Sequence, residues 1–234
     1  MPESDSSAPA SGSTFNSRLE SIASIVLAVA VVLTAWAAFE AAKWGGEQSI
    51  QFSIAGASRT ESTRADTRGG QLAQIDVAMY ADFVGAYFDD VESGKVVPYD
   101  GTSFVPTPET FSGFLYLRLR DEFRPAMDAW LASDPAGNPD APTSPFVMPE
   151  YTIAEFDEAD ALALVADQAA VDARAANQNG DNYVLTAVLF AAVLFFSGVA
   201  SKLESRWNRL AVNIIGIVGV VIGAIILLSL PIMI

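Results

Sequence analysis

Residues 152–202 read TIAEFDEADALALVADQAAVDARAANQNGDNYVLTAVLFAAVLFFSGVASK, and no proline interrupts them. The stretch begins as an acidic, alanine-rich helix, with Ile153, Phe156, Leu162 and Val165 set among Glu155, Asp157, Glu158 and Asp160. It passes through Asn177–Asn182 and continues as Tyr183–Ser201, which carries no charge. A single helix over this stretch would measure roughly 75 Å at about 1.5 Å per residue. A bilayer's hydrocarbon core is about 30 Å thick. The reading is therefore a rod that begins in a water-exposed domain and ends inside a membrane.

Two more apolar runs flank that rod. Ser21–Phe39 is uncharged and long enough to span, and so is Leu210–Ile234. No strand-like alternation of any length occurs. The predicted fold class is an all-α membrane protein. It has three transmembrane helices, with a helical extracytoplasmic domain inserted between the first and second and long helices continuous with the spans. The predicted boundaries are a disordered cytoplasmic tail at 1–18, transmembrane helix 1 at 19–43 and an acidic helical domain at 44–182. Transmembrane helix 2 follows at 183–201, a cytoplasmic link at 202–209 and transmembrane helix 3 at 210–234. Ala35-Trp36-Ala37 has the small-x-small form of a signal-peptide cleavage site. The apolar run before it is longer than a signal peptide needs and its leading segment is acidic, so the first run reads as an uncleaved anchor.

Charge divides the chain the same way. The net charge is −15 although 51% of the residues are hydrophobic. Residues 44–182 hold 23 Asp/Glu against 8 Lys/Arg, and the remainder of the chain is neutral. Such a domain repels nucleic acid and anionic headgroups and attracts cations or basic partners. With no Cys and no His, the chain lacks the residues for disulfides, thiolate nucleophiles, the usual zinc sites and Ser-His-Asp chemistry.

Within the acidic domain a polar tract (Arg59, Glu61, Arg64, Asp66, Arg68) precedes Leu72, Ile75, Met79, Phe83 and Tyr87 at helical spacing. Val77, Tyr80, Val84 and Phe88 form a second apolar face, which predicts burial on two sides. Turn residues fill 93–108. Thr107-Pro108-Glu109 reads as a helix start, and Pro125 should kink or break the helix that follows. Five prolines make residues 133–150 a surface loop.

The connection Lys202–Arg209 is the one basic link, so the positive-inside rule makes it cytoplasmic. Three spans then put the N-terminus inside and the acidic domain and C-terminus outside.

Trp36-Ala-Ala-Phe-Glu40-Ala-Ala-Lys43-Trp44-Gly-Gly-Glu47-Gln48 resembles a motif of uncharacterised bacterial inner-membrane proteins. The segments Glu122–Pro135, Asn138–Tyr151 and Asn182–Gly198 are similar to the same family, so the resemblance covers about residues 30–200. It implies one span, a helical insert and two further spans in a bacterial inner membrane. It implies no activity, cofactor or site residue.

Candidate functional residues are few. Glu40 is the only acid close to a span, where a carboxylate is costly. It reads either as the interfacial partner of Lys43, three residues on, or as part of a ring at the mouth of a homo-oligomeric cation pore. Gly216, Gly219 and Gly223 allow close helix approach, within the chain or between subunits. Asn213 is expected to bond across helices. Asp134, Asn138 and Asp140, with Asp89, Asp90 and Asp100, are a weak candidate for divalent-cation binding, because their spacing matches no calcium loop. No phosphate-binding glycine loop and no catalytic constellation is present, so no enzyme and no cofactor is expected. The expected partners are the lipid bilayer and a homo-oligomer or larger membrane complex. Two function classes follow: a self-associating structural or accessory membrane subunit, or a homo-oligomeric cation channel or transport component with an acidic vestibule.

Overall fold

The computed structural model describes residues 11–97, 104–135, 137–200, 202–203 and 205–233. The chain is all-α, with no strand among the described residues. Helix α1 runs Ser11–Glu92, α2 Phe111–Tyr116, α3 Arg124–Ala132, α4 Ala154–Ala200 and α5 Arg206–Ser229, with one 3₁₀ turn at Pro145–Val147. Three of these, α1, α4 and α5, are long and apolar enough to cross a membrane, with mean hydropathy of 2.5, 2.3 and 2.8 over their most apolar stretches. They suit a lipid bilayer. The described residues form two compact units, those up to 54 with those from 168 on, and those between 55 and 167.

In the first unit many of the buried positions are alanine or aromatic. Ala37, Tyr183, Phe190 and Leu227 form its core, with Leu33, Ala41, Trp44 and Leu230 packed against them. The outward face of α5, including Ile215, Val218, Ile222 and Ile225, is exposed on the isolated chain, as a lipid-facing surface is.

Helix α5 stops at Ser229 rather than running on to residue 234 as expected. Pro231 explains this: it has no N–H to donate, and it biases Leu230 (ψ 145°) toward extended backbone. Helix α1 begins at Ser11, inside the stretch read as a tail, and α5 begins at Arg206, inside the stretch read as a link.

The second unit holds residues 55–92 of α1, then α2, α3, the 3₁₀ turn and residues 154–167 of α4. Its core joins Phe83 and Ala86 of α1 to Leu115, Tyr116, Leu119, Phe123, Met127 and Trp130. Aromatic rings carry much of it. Phe123 stacks on Phe146 at 5.4 Å, and Tyr80 meets Trp130 edge-on at 5.2 Å. Trp130 Nε1 donates to Pro142 O at 2.8 Å, which ties the proline-rich loop to α3.

Where α1 meets α4 the unit is built differently. Ala55, Ser62 and Gly69 recur every seven residues on α1, Ala55 and Gly69 buried and Ser62 partly covered. Ala159 and Ala166 do the same on α4. Small residues at this repeat let two helices approach closely along a coiled-coil-like seam. A Cβ on Gly69 would lie 2.8 Å from the Phe156 ring, so any larger residue there would push that ring aside. Ser62 Oγ donates to Ala159 O at 2.8 Å across the seam.

The expected second apolar face of α1 is not buried throughout. Val77 and Phe88 are exposed, while Tyr80 and Val84 pack on the core. The helix expected from Thr107 is also two helices. Thr110, not Thr107, caps α2, its Oγ1 accepting the Gly113 N–H at 3.1 Å. Pro125 sits in the first turn of α3, where its missing N–H costs nothing, so it starts that helix instead of breaking one.

Candidate functional site

Glu40, Trp44 and Tyr183 reach the residues 231–233 that follow α5. Glu40 is 1% exposed, and its Oε2 accepts the Met233 N–H at 3.0 Å. Four residues on, Trp44 Nε1 donates to Pro231 O at 3.2 Å, and Tyr183 Oη donates to the same carbonyl at 3.1 Å. The helix that ends before Pro231 leaves extended backbone whose polar groups need partners. Glu40, Trp44 and Tyr183 supply them. Gly180 on α4 faces α1 here, and a Cβ there would make ordinary contact with Trp44 Cβ at 3.6 Å.

This corrects the expected pairing of Glu40 with Lys43. Among the described residues Glu40 makes no ion pair, and Lys43 Nζ lies 6.0 Å from the Phe39 ring centroid. The two positions are neighbours on one helix, but Glu40 is buried against the chain's end and Lys43 is only half-buried.

The glycines of α5 face α4 of the same chain. A Cβ on Gly216 would be 3.0 Å from Ser197 Oγ, one on Gly219 2.6 Å from Val193 Cγ2, and one on Gly223 2.5 Å from Phe190 Cε1. Asn213 does not bond across helices as expected; its Nδ2 donates to Arg209 O of its own helix at 3.0 Å. Thr34 and Thr186 likewise donate to carbonyls one turn back, at 2.7 and 2.8 Å. In hydrocarbon a hydroxyl without a nearby acceptor is costly, so such back-bonding is the economical arrangement.

The acidic turn residues are used locally. Asp134 Oδ1 accepts the Gly137 N–H at 3.1 Å, and Asn138 Oδ1 accepts the Asp140 N–H at 3.0 Å. Asp90 Oδ2 accepts the Ser112 N–H at 2.9 Å, which together with Lys95 holds its carboxyl below the usual range. Asp89 is exposed. Asp100 lies outside the described residues. Among the described residues no cluster of three or more acids is placed to hold a metal ion.

One buried charge centre was not anticipated. Asp76, 1% exposed on α1, accepts Arg120 Nη2 at 2.8 Å and Nε at 3.3 Å, and Tyr151 Oη lies 3.3 Å from its Oδ2. The Asp76 carboxylate pushes Arg120 further above its usual value. Burial, and then the Asp76 charge, push the Tyr151 phenol up to about 12. The centre ties α1 to the segments on either side of α3, and its partners leave it no open position for a substrate. Asp76 lies in the stripe of Leu72, Ile75 and Met79, and an acid inside an apolar stripe was the available signal.

Compared with family models, curated proteins and solved structures, the chain matches none of them. The resemblance described above rests on its own quoted residues.

Proposed function

We propose that this chain is a non-enzymatic multi-pass membrane protein of the bacterial inner membrane, acting as a structural or accessory subunit. In this reading the helical acidic domain lies outside and docks on, or assembles into, a larger membrane complex. The observation that carries the reading is the engagement of Glu40 with the Met233 N–H of its own chain. A carboxylate held this way is not offered to a conduction path. Thr34, Thr186 and Asn213 are likewise occupied within their helices, while Ser197 Oγ is buried without a hydrogen-bond partner among the described residues. Pumps and transporters place ionisable residues deep in the membrane, which favours an accessory role over transport.

Orientation follows from the basic connection before α5. Because the chain has no Cys, single substitutions report cleanly. Ser205→Cys should resist an impermeant maleimide in intact cells, and Asp140→Cys should react.

The deciding experiment is native mass in a mild detergent or nanodisc, with bilayer recordings of wild type and Glu40→Gln. A monomer, or a defined hetero-complex, without conductance is the expected result. A closed ring of three or more copies whose conductance depends on Glu40 would replace this reading with the channel.

A further inference from the structure

The second unit contains a cavity of about 170 Å³. Five aromatic rings, Tyr80, Phe83, Tyr87, Phe88 and Trp130, line it, and Asp134 is the one charged residue among its walls. The first four rings come from three consecutive turns of α1. Trp130 faces them from α3, its indole N–H fixed on Pro142 O. Asp134 follows the end of α3 in a left-handed conformation, φ 53°, the one such non-glycine residue among those described. Its carbonyl accepts the Asn138 N–H at 2.8 Å and its Oδ1 the Gly137 N–H at 3.1 Å, so the carboxylate is fixed in place. No Lys or Arg among the described residues pairs with it.

We infer that this cavity binds a small methylated ammonium ion. Aromatic faces carry negative quadrupole potential and attract cations within about 6 Å of the ring centre. A fixed carboxylate at the same cavity adds to that attraction. The unit around it carries 20 Asp/Glu against 7 Lys/Arg, which raises the local concentration of any cation. A divalent metal ion would require several oxygen ligands, and only one carboxylate is present. A primary ammonium has three N–H donors to satisfy, again against one carboxylate. A quaternary ammonium needs no hydrogen bond, and its methyl groups match the apolar rings. It is the cation whose chemistry these walls fit.

The test is calorimetric titration of the full-length chain in a maltoside detergent, which has no ammonium headgroup. The probes are choline, its neutral carbon isostere 3,3-dimethylbutan-1-ol, and ethanolamine. Choline should bind saturably, and the other two at least about tenfold more weakly. Two variants leave the core intact: Phe88→Leu, at an exposed position, and Asp134→Asn, since Asn tolerates the left-handed conformation. Each should weaken choline about five- to tenfold, with unchanged helicity and melting temperature. Equal binding of the isostere would make the cavity a neutral apolar site and overturn the inference. So would the absence of saturable choline binding, or choline binding indifferent to both variants.

Discussion

The Glu40 carboxylate accepts the backbone N–H of Met233, 193 residues away along the chain, at 3.0 Å. An acid near the end of one span thus holds the backbone that follows the last one. Glu40→Ala leaves the Met233 N–H without its acceptor and should destabilise the chain by about 1–3 kcal/mol. Glu40→Gln keeps an oxygen acceptor and should recover much of that loss. Thermal unfolding of both variants in detergent checks the order. Equal loss would mean that the negative charge, not the hydrogen bond, is what matters.

Gly223 and Gly198 make a matched pair. A Cβ on Gly223 would lie 2.5 Å from the Phe190 ring, whereas one on Gly198 meets nothing within 4 Å. Gly223→Val should cost about 1–3 kcal/mol by overpacking. Gly198→Ala should be neutral or stabilising, because alanine is the better helix former. Melting temperatures of the two single variants decide it.

Asp76 and Arg120 form a buried pair whose halves are not equivalent to the whole. Arg120→Ala strands an acid that is 1% exposed and should cost about 3–5 kcal/mol. The double change Asp76→Leu with Arg120→Leu should cost much less, since no buried charge is left. A double-mutant cycle read by near-ultraviolet circular dichroism separates the two outcomes.

Tyr151 makes alkaline stability measurable. Its folded pKa, pushed up to about 12, stands above the ordinary value of 10.0. Between those values the unfolded chain has released the proton and the folded chain still holds it. The contribution of Tyr151 to stability is therefore level below pH 10 and falls as pH rises toward 12. Tyr116, also raised by burial and by its bond to Asp128, adds to the same slope. Tyr151→Phe should flatten the fall in melting temperature over that window.

The spans were legible because a charge-free run of such length has few other uses, and α4 because no proline interrupts it. The joined length of α1 was harder to read. Its tract at Arg59–Arg68 read only as polar, since the covered residues there are the small Ser62, Ala65 and Gly69. Small residues produce no apolar periodicity, although they are what close packing requires. The same holds on residues 154–167 of α4, where Ala159 and Ala166 are buried while the larger Phe156 and Val165 are exposed. Glu40 was legible as unusual but not as the partner of Met233, because the decisive residue was Pro231. Read as part of a span, that proline gave no hint of backbone needing acceptors and donors from elsewhere.

The repeat of small residues between α1 and α4 in the second unit carries an ambiguity. If one helix slid past the other by seven residues, about 10 Å, small side chains would again meet small side chains. Among the small residues size does not choose the alignment; the fit of Phe156 over Gly69 does. Arg59 binds Asp167 at 2.8 Å, and Arg68 binds Glu158 at 3.0 Å, nine positions up one helix and nine down the other. Both bridges are exposed, and each contributes at most about 1 kcal/mol to holding the fold. A slide would break both together and would drive Phe156 off Gly69. Their use is to tell the correct alignment from its near-copies, like the two marks that set a vernier.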